Sequence, residues 1–144
     1  MQVKNKRTNL NQTPLGTDNQ LLSVRYVSQG DFWEANWQGE LSVEQVKFGL
    51  ETVLRIFRTQ PTRRMLFIQR DMISGSLDLQ SWMYEHLVPP MYALGLRRVG
   101  LVHSRDFDTR AATTLIMDSV PPDFSLDARF FLQYDEAVEW LLSR

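Results

Sequence analysis

Two short apolar runs, Met65-Leu-Phe-Ile68 and Val99-Gly-Leu-Val102, constrain this chain more than any other feature. Neither alternates. The first is bounded by Arg64 and Gln69-Arg-Asp71, and the second gives way to His103. A strand that is apolar on both faces needs cover on both, and the strands of a parallel sheet receive that cover from crossover helices. The segments around the two runs carry the helical period that such crossovers require.

The pattern begins with a hairpin. Leu22, Val24 and Tyr26 alternate with Ser23 and Arg25, Gly30-Asp31 marks a turn, and residues 32–37 read as a second strand paired to the first. After Gly39, Ser42 and Gln45 stand in capping-box spacing. Val43, Val46, Leu50, Val53, Leu54 and Phe57 then recur at three and four, giving a long first helix that ends before Pro61. Past the first apolar run, Ser76 is placed to cap a second helix carrying Leu79, Trp82, Met83 and Leu87. Pro89-Pro90 should kink or interrupt that helix, and Gly95 should stop it. A third helix over 109–118, a strand over 128–132 and a closing helix over 135–142 complete the order β-β-α-β-α-β-α-β-α. The expected class is α/β, a mixed sheet with an N-terminal antiparallel hairpin and parallel strands after it.

Residues 1–19 are rich in Asn, Gln, Thr and Lys, with Pro14 and Gly16 as breakers. They offer too little apolar surface to offset ordering entropy, so a flexible tail is expected, followed by one domain over 20–144. The absence of cysteine excludes disulfides, a thiolate metal site and a cysteine nucleophile together. A net charge of -1 argues against nucleic acid as a partner. Thirteen arginines stand against three lysines, which keeps a local anion site open beside the plainer reading of surface ion pairs. No stretch approaches the roughly 18 apolar residues of a membrane span. The basic N-terminus lacks the apolar core of a secretory signal, so the expected address is the cytoplasm.

Catalytic motifs are missing. Ser74-Gly75-Ser76 lacks the lysine and the glycine spacing of a phosphate loop, and no Gly-x-Ser-x-Gly elbow is present. His103 ends a strand beside Ser104, Asp106 and Asp108, but consecutive strand residues point to opposite faces, which sets Ser104 badly for bonding His103. No catalytic residue, metal ligand or cofactor is assigned. Ligands of parallel sheets gather beyond the strands' carboxyl ends, where Arg70, Asp71, His103 and Arg105 fall. They could form an anion or regulatory-ligand site, or an ion-pair network holding the sheet rim. Trp82, with Met83 and Tyr84 beside the prolines, is the aromatic best placed for a partner or small-molecule contact.

Ile68-Gln-Arg-Asp71, Leu79-Gln-Ser-Trp82, Glu85-His-Leu-Val-Pro89 and Gly95-Leu-Arg-Arg-Val99 together resemble the small bacterial STAS-like proteins related to SpoIIAA. The resemblance covers roughly residues 21–143. It implies a STAS-like fold, a central mixed sheet with about four helices packed mainly on one side. It also implies a regulatory role, since SpoIIAA-type proteins bind a partner kinase and are switched by phosphorylation of a serine that starts a helix. Ser74 and Ser76 fall near that place, although the Asp-Ser-Ser-Gly-Leu type of sequence is replaced by Asp71-Met-Ile-Ser-Gly-Ser76. The wider group includes lipid-binding relatives, which implies an apolar pocket as an alternative. The expectations are therefore a non-enzymatic domain that binds a protein partner or a second copy of itself, or else a carrier of a small molecule or lipid with its pocket near Trp82. A hydrolase built on His103 with Asp71 or Asp106 ranks behind both.

Overall fold

Alternation in the first hairpin decides which side of the sheet becomes the main core. In β2 (Leu21–Val27) and β3 (Phe32–Glu40), Leu22, Val24, Trp33, Ala35 and Trp37 project to one side and are buried there. Val27 and Phe32 project to the other side and join a second cluster. The turn between the strands holds Asp31 at φ 54, a left-handed conformation that Asp tolerates better than most residues, and Tyr26 donates to its carboxylate at 2.7 Å. The computed structural model describes residues 12–14, 21–74 and 79–144.

Six strands form one sheet in the order β1-β2-β3-β4-β5-β6. β1 (Gln12–Pro14) pairs antiparallel with β2, and β2 with β3. β4 (Arg64–Ile73), β5 (Arg98–Val102) and β6 (Asp127–Phe131) follow in parallel. β1 falls within the stretch expected to be a flexible tail, and the remainder of that stretch lies outside the described residues.

β4 is longer than its apolar run. It continues through Gln69, Arg70 and Asp71 to Ile73 because β3 also runs on, and Gln38, Gly39 and Glu40 pair with Asp71, Met72 and Ile73. Arg70 and Asp71 are thus strand residues and do not lie beyond a strand end. The register shifts between Asn36 and Gln38, where β4 carries one residue more than β3. Such a bulge reverses the in–out alternation after it. Gln69 and Met72, three apart, consequently line the same cavity on one side of the sheet.

Three helical regions cover that side. α1 (Val43–Thr59) begins in the expected capping box, with the Gln45 amide donating to Ser42 Oγ at 3.2 Å and the Ser42 amide donating to Gln45 Oε1 at 2.8 Å. The second region departs from expectation. Pro89 and Pro90 do not break it: α2 (Gln80–Trp82) passes through a π-helical segment, Met83–Leu87, into α3 (Val88–Ala93), with the prolines in the first turn of α3. Prolines lack the N–H that would bond four residues back, and the wider π turn, in which the Val88 amide donates to the Met83 carbonyl, carries the chain past that deficit. Gly95 stops α3 as expected, at φ 117. The Gly95 and Leu96 amides donate to the Tyr92 and Met91 carbonyls, and Leu96 and Met91 are both buried, the hydrophobic contact of a Schellman end. α4 (Phe107–Asp118) contributes Ile116 to the same core.

Among the described residues, a single helix, α5 (Tyr134–Leu142), covers the other side through Ala137 and Leu141. Arginines fasten its end. Arg64 Nε donates to the Leu141 carbonyl at 3.1 Å, and Arg98 to the Trp140 and Ser143 carbonyls at 2.9 and 2.8 Å. Cations are favoured at a helix C-terminus, which assigns part of the arginine excess to structure.

Candidate functional site

The main core is not filled. A cavity of about 90 Å³ lies between the sheet and the helices of the three-helix side. Leu50 of α1, Met83 and Leu87 of the π segment, Met91 of α3, Ala112 and Met117 of α4, and Met72 of β4 all line it. Four of the chain's six methionines therefore meet at one void. Methionine is unbranched and rotates easily, so such a wall adapts to what it encloses.

Trp37 is the largest fully buried side chain and also lines the cavity. Its indole N–H is buried with no acceptor among the described residues. The ring is seated against Gly49 of α1, where an added Cβ would come within 2.6 and 2.7 Å of ring carbons. Only glycine allows that approach. The Tyr84 hydroxyl is likewise buried without a partner among the described residues, but Tyr84 is not among the lining residues. Burial first, and the charge of Asp118 second, raise its pKa.

A satisfied polar network lies beside the cavity. Ser74 lines it, and its amide donates to Thr109 Oγ1 at 2.7 Å. The Thr109 hydroxyl donates in turn to Asp106 at 2.8 Å, and the Thr109 amide reaches the same carboxylate at 3.0 Å. Asp106 thus caps α4, and these two donors, the hydroxyl first, hold its pKa below the ordinary value. Ser76, expected to cap the second helix, lies outside the described residues.

The expected crevice divides in two. Arg105 and Asp71 form an exposed ion pair at 3.2 Å, and the Arg105 amide donates to the Arg70 carbonyl, so Arg70, Asp71 and Arg105 share one shallow groove. His103 belongs to another, with Phe107, Arg110, Leu115 and Leu132. Its ring stacks on Phe130 with centroids 4.7 Å apart and planes 7° from parallel. Partial burial, then the neighbouring Arg110, hold its pKa below the ordinary value. The Ser104 hydroxyl donates to the Met72 carbonyl at 2.6 Å and accepts from the Asp106 amide at 2.9 Å. Ser104 is thus a strut between β4 and the start of α4. Among the described residues, no three of His, Asp or Glu come together as metal ligands.

Trp82 is half-buried on the main core, with its ring 6.0 Å from that of His86. The cavity lies under the second helical region, where an apolar pocket was considered, but Met83 lines it and Trp82 does not. Trp37 went unrecognised in the sequence. The available signal was its inward register with Trp33 and Ala35, together with a lone glycine in the apolar face of α1.

No family model and no curated protein sequence matches the chain. Among solved structures, it is similar to an uncharacterised protein from the DUF3478 family with a SpoIIAA-like fold, from Shewanella loihica. The two share 15% sequence identity over 83% of this chain and 91% of the other, with a TM-score of 0.54. The chain has a SpoIIAA-like, STAS-type fold, as the sequence resemblance implied. Among the described residues, no helix is long and apolar enough to cross a membrane.

Proposed function

We propose that this STAS-like domain is a non-catalytic binding module whose occupant is a small, mostly apolar molecule held between the sheet and the helices of the three-helix side. The supporting observation is the methionine-walled cavity of about 90 Å³. Pockets for drug-sized ligands run to about 300–1,000 Å³, so the occupant is smaller than those unless the wall yields. The π segment contributes Met83 and Leu87 to that wall, and π turns recur at functional positions. A screen of small fluorinated hydrocarbon fragments by ¹⁹F NMR tests this reading, with an Ala112→Leu variant whose side chain fills the space. Fragments should bind the parent and not the folded filled variant. Equal behaviour of the two would overturn the reading.

A second reading, contact with another copy of this chain, is favoured by a separate observation. Phe107, Leu115 and Leu132 are 71%, 53% and 70% exposed around the His103 groove, next to the edge strand β6. A two-fold antiparallel pairing of β6 centred on Ala128 would set Asp127 opposite Arg129 of the second copy. Opposite charges stabilise such cross-strand pairs. Sedimentation equilibrium should show a dimer that Leu132→Asp abolishes, and a monomer at all concentrations removes this reading.

A further inference from the structure

The cavity wall carries no charged side chain, and its reachable polar groups lie along one seam. Gln69 belongs to β4, Ser74 directly follows that strand, and Thr113 belongs to α4. Thr109 ties the two elements together there. The Ser74 amide donates to its Oγ1 at 2.7 Å, and the Thr113 hydroxyl donates to its carbonyl at 2.9 Å. Against α1, the π segment and α3, the wall is apolar, with Leu50, Met83 and Met91 among its residues. The Trp37 and Tyr84 donors are sealed off. The Gln69 carboxamide and the Ser74 hydroxyl are not: both residues are half-buried, and neither group has a partner among the described residues. A carboxamide offers an acceptor oxygen and two N–H donors, and a hydroxyl offers one donor and two lone pairs. Thr113 has committed its proton to Thr109, so its hydroxyl can only accept.

Resting on the cavity reading above, we propose that the occupant is a small neutral alcohol, an apolar body carrying a hydroxyl, and that the hydroxyl is seated on the β4–α4 seam with its proton given to the Gln69 carboxamide oxygen. Its lone pairs accept from the donors of the same seam, the Gln69 N–H groups and the Ser74 hydroxyl. A ketone or ether can only accept, and leaves the Gln69 and Thr113 oxygens without a donor. An ionised carboxylate or ammonium would be buried without a counter-charge, which a wall of this composition cannot compensate. A hydrocarbon suits the apolar walls but leaves the carboxamide unpaired, at the cost of an unmade hydrogen bond. An alcohol satisfies both halves of the wall. Gln69 is therefore the specificity-determining residue of the cavity.

The test compares cyclopentanol, cyclopentanone and methylcyclopentane, which carry a hydroxyl, a carbonyl and a methyl group on the same ring. Affinities for the full chain are measured by NMR titration, in the parent and in Gln69→Met, a change that keeps side-chain length and removes the carboxamide. The alcohol-to-hydrocarbon affinity ratio should fall about tenfold in Gln69→Met, the worth of one hydrogen bond. The alcohol-to-ketone ratio should fall about threefold, because the ketone never used the carboxamide oxygen. In the parent, the Gln69 side-chain NH₂ resonances should move with the alcohol and stay with the hydrocarbon. None of the rings is aromatic, so no ring current mimics that shift. Should Gln69→Met fail to fold, the parent's Gln69 resonances alone decide, and unmoved ones at alcohol saturation overturn the inference. If the probes bind and neither ratio changes in Gln69→Met, the role of the seam fails while the cavity reading stands. If only the alcohol-to-ketone ratio is unchanged, the assignment to an alcohol fails. If none of the three probes binds, the cavity reading fails and the inference with it.

Discussion

The two sides of the sheet are built from the same strands and differ in how completely they are finished. On the α5 side, the buried Glu34 carboxylate accepts from Arg25 Nε at 2.9 Å and from the Tyr134 hydroxyl at 2.7 Å. Burial, and the bond to that carboxylate, push the Tyr134 pKa up to about 12. Leu66, Val102, Ala137 and Leu141 interlock there with almost no exposure. On the three-helix side there is a void with a wall of methionines, and the buried Trp37 indole N–H has no partner among the described residues. A close-packed, satisfied layer confers stability, and a layer with space and an unspent polar group has capacity for a ligand.

The largest expected effect is on the finished side. Glu34→Leu strands the Arg25 cation in a largely buried position and should cost about 3–5 kcal/mol in urea unfolding. A loss below ~1 kcal/mol would mean the network carries little. Next comes a matched pair of truncations. Leu141→Ala should cost about 2–5 kcal/mol, and Leu87→Ala should fall at the low end of that range because Met83 and Met91 can move into the space. Equal costs would erase the distinction between the two sides.

Enlarging residues sharpens the same contrast. A Cβ at Gly30 would lie 2.8 Å from the Phe32 ring and 2.9 Å from Leu142, so Gly30→Ala should cost about 1–3 kcal/mol. Ala112→Val, which points the added methyls at the void, should be neutral or stabilising by up to about 1 kcal/mol. The smallest effect concerns His103. Its pKa in the fold is depressed by partial burial and by Arg110, so the unfolded chain binds the proton more readily. Stability is then complete above the ordinary value of 6.5 and declines as pH falls through it. His103→Gln should flatten that decline in urea midpoints compared at about pH 7.5 and 5.5.

Much of the architecture was legible in the sequence for local reasons. The capping box at Ser42, the alternation at Leu22, Val24 and Tyr26, and the stop at Gly95 are short-range signals, and each is found in the structure. What escaped was non-local. The extension of β4 to Ile73 depends on the tail of β3 being present to pair with it, and no period in residues 69–73 announces that. The bulge that brings Met72 to the same side as Gln69 is a relation between two strands. Pro89-Pro90 pointed to an interruption because the π turn that accommodates them has no sequence signature of its own. The crevice of Arg70, Asp71, His103 and Arg105 assumed strand ends at equal height. The unequal lengths of β4 and β5 separate His103 from the other three.

That ligand capacity belongs to one side of the sheet is tested most directly by ¹³C-methyl NMR during titration with xenon, a small probe that enters dry apolar cavities. The methyl resonances of Met72, Met83, Met91 and Met117 should shift and saturate together, while those of Leu66, Val102 and Leu141 stay fixed. Shifts on the α5 side of equal size, or none at the four methionines, would contradict the account.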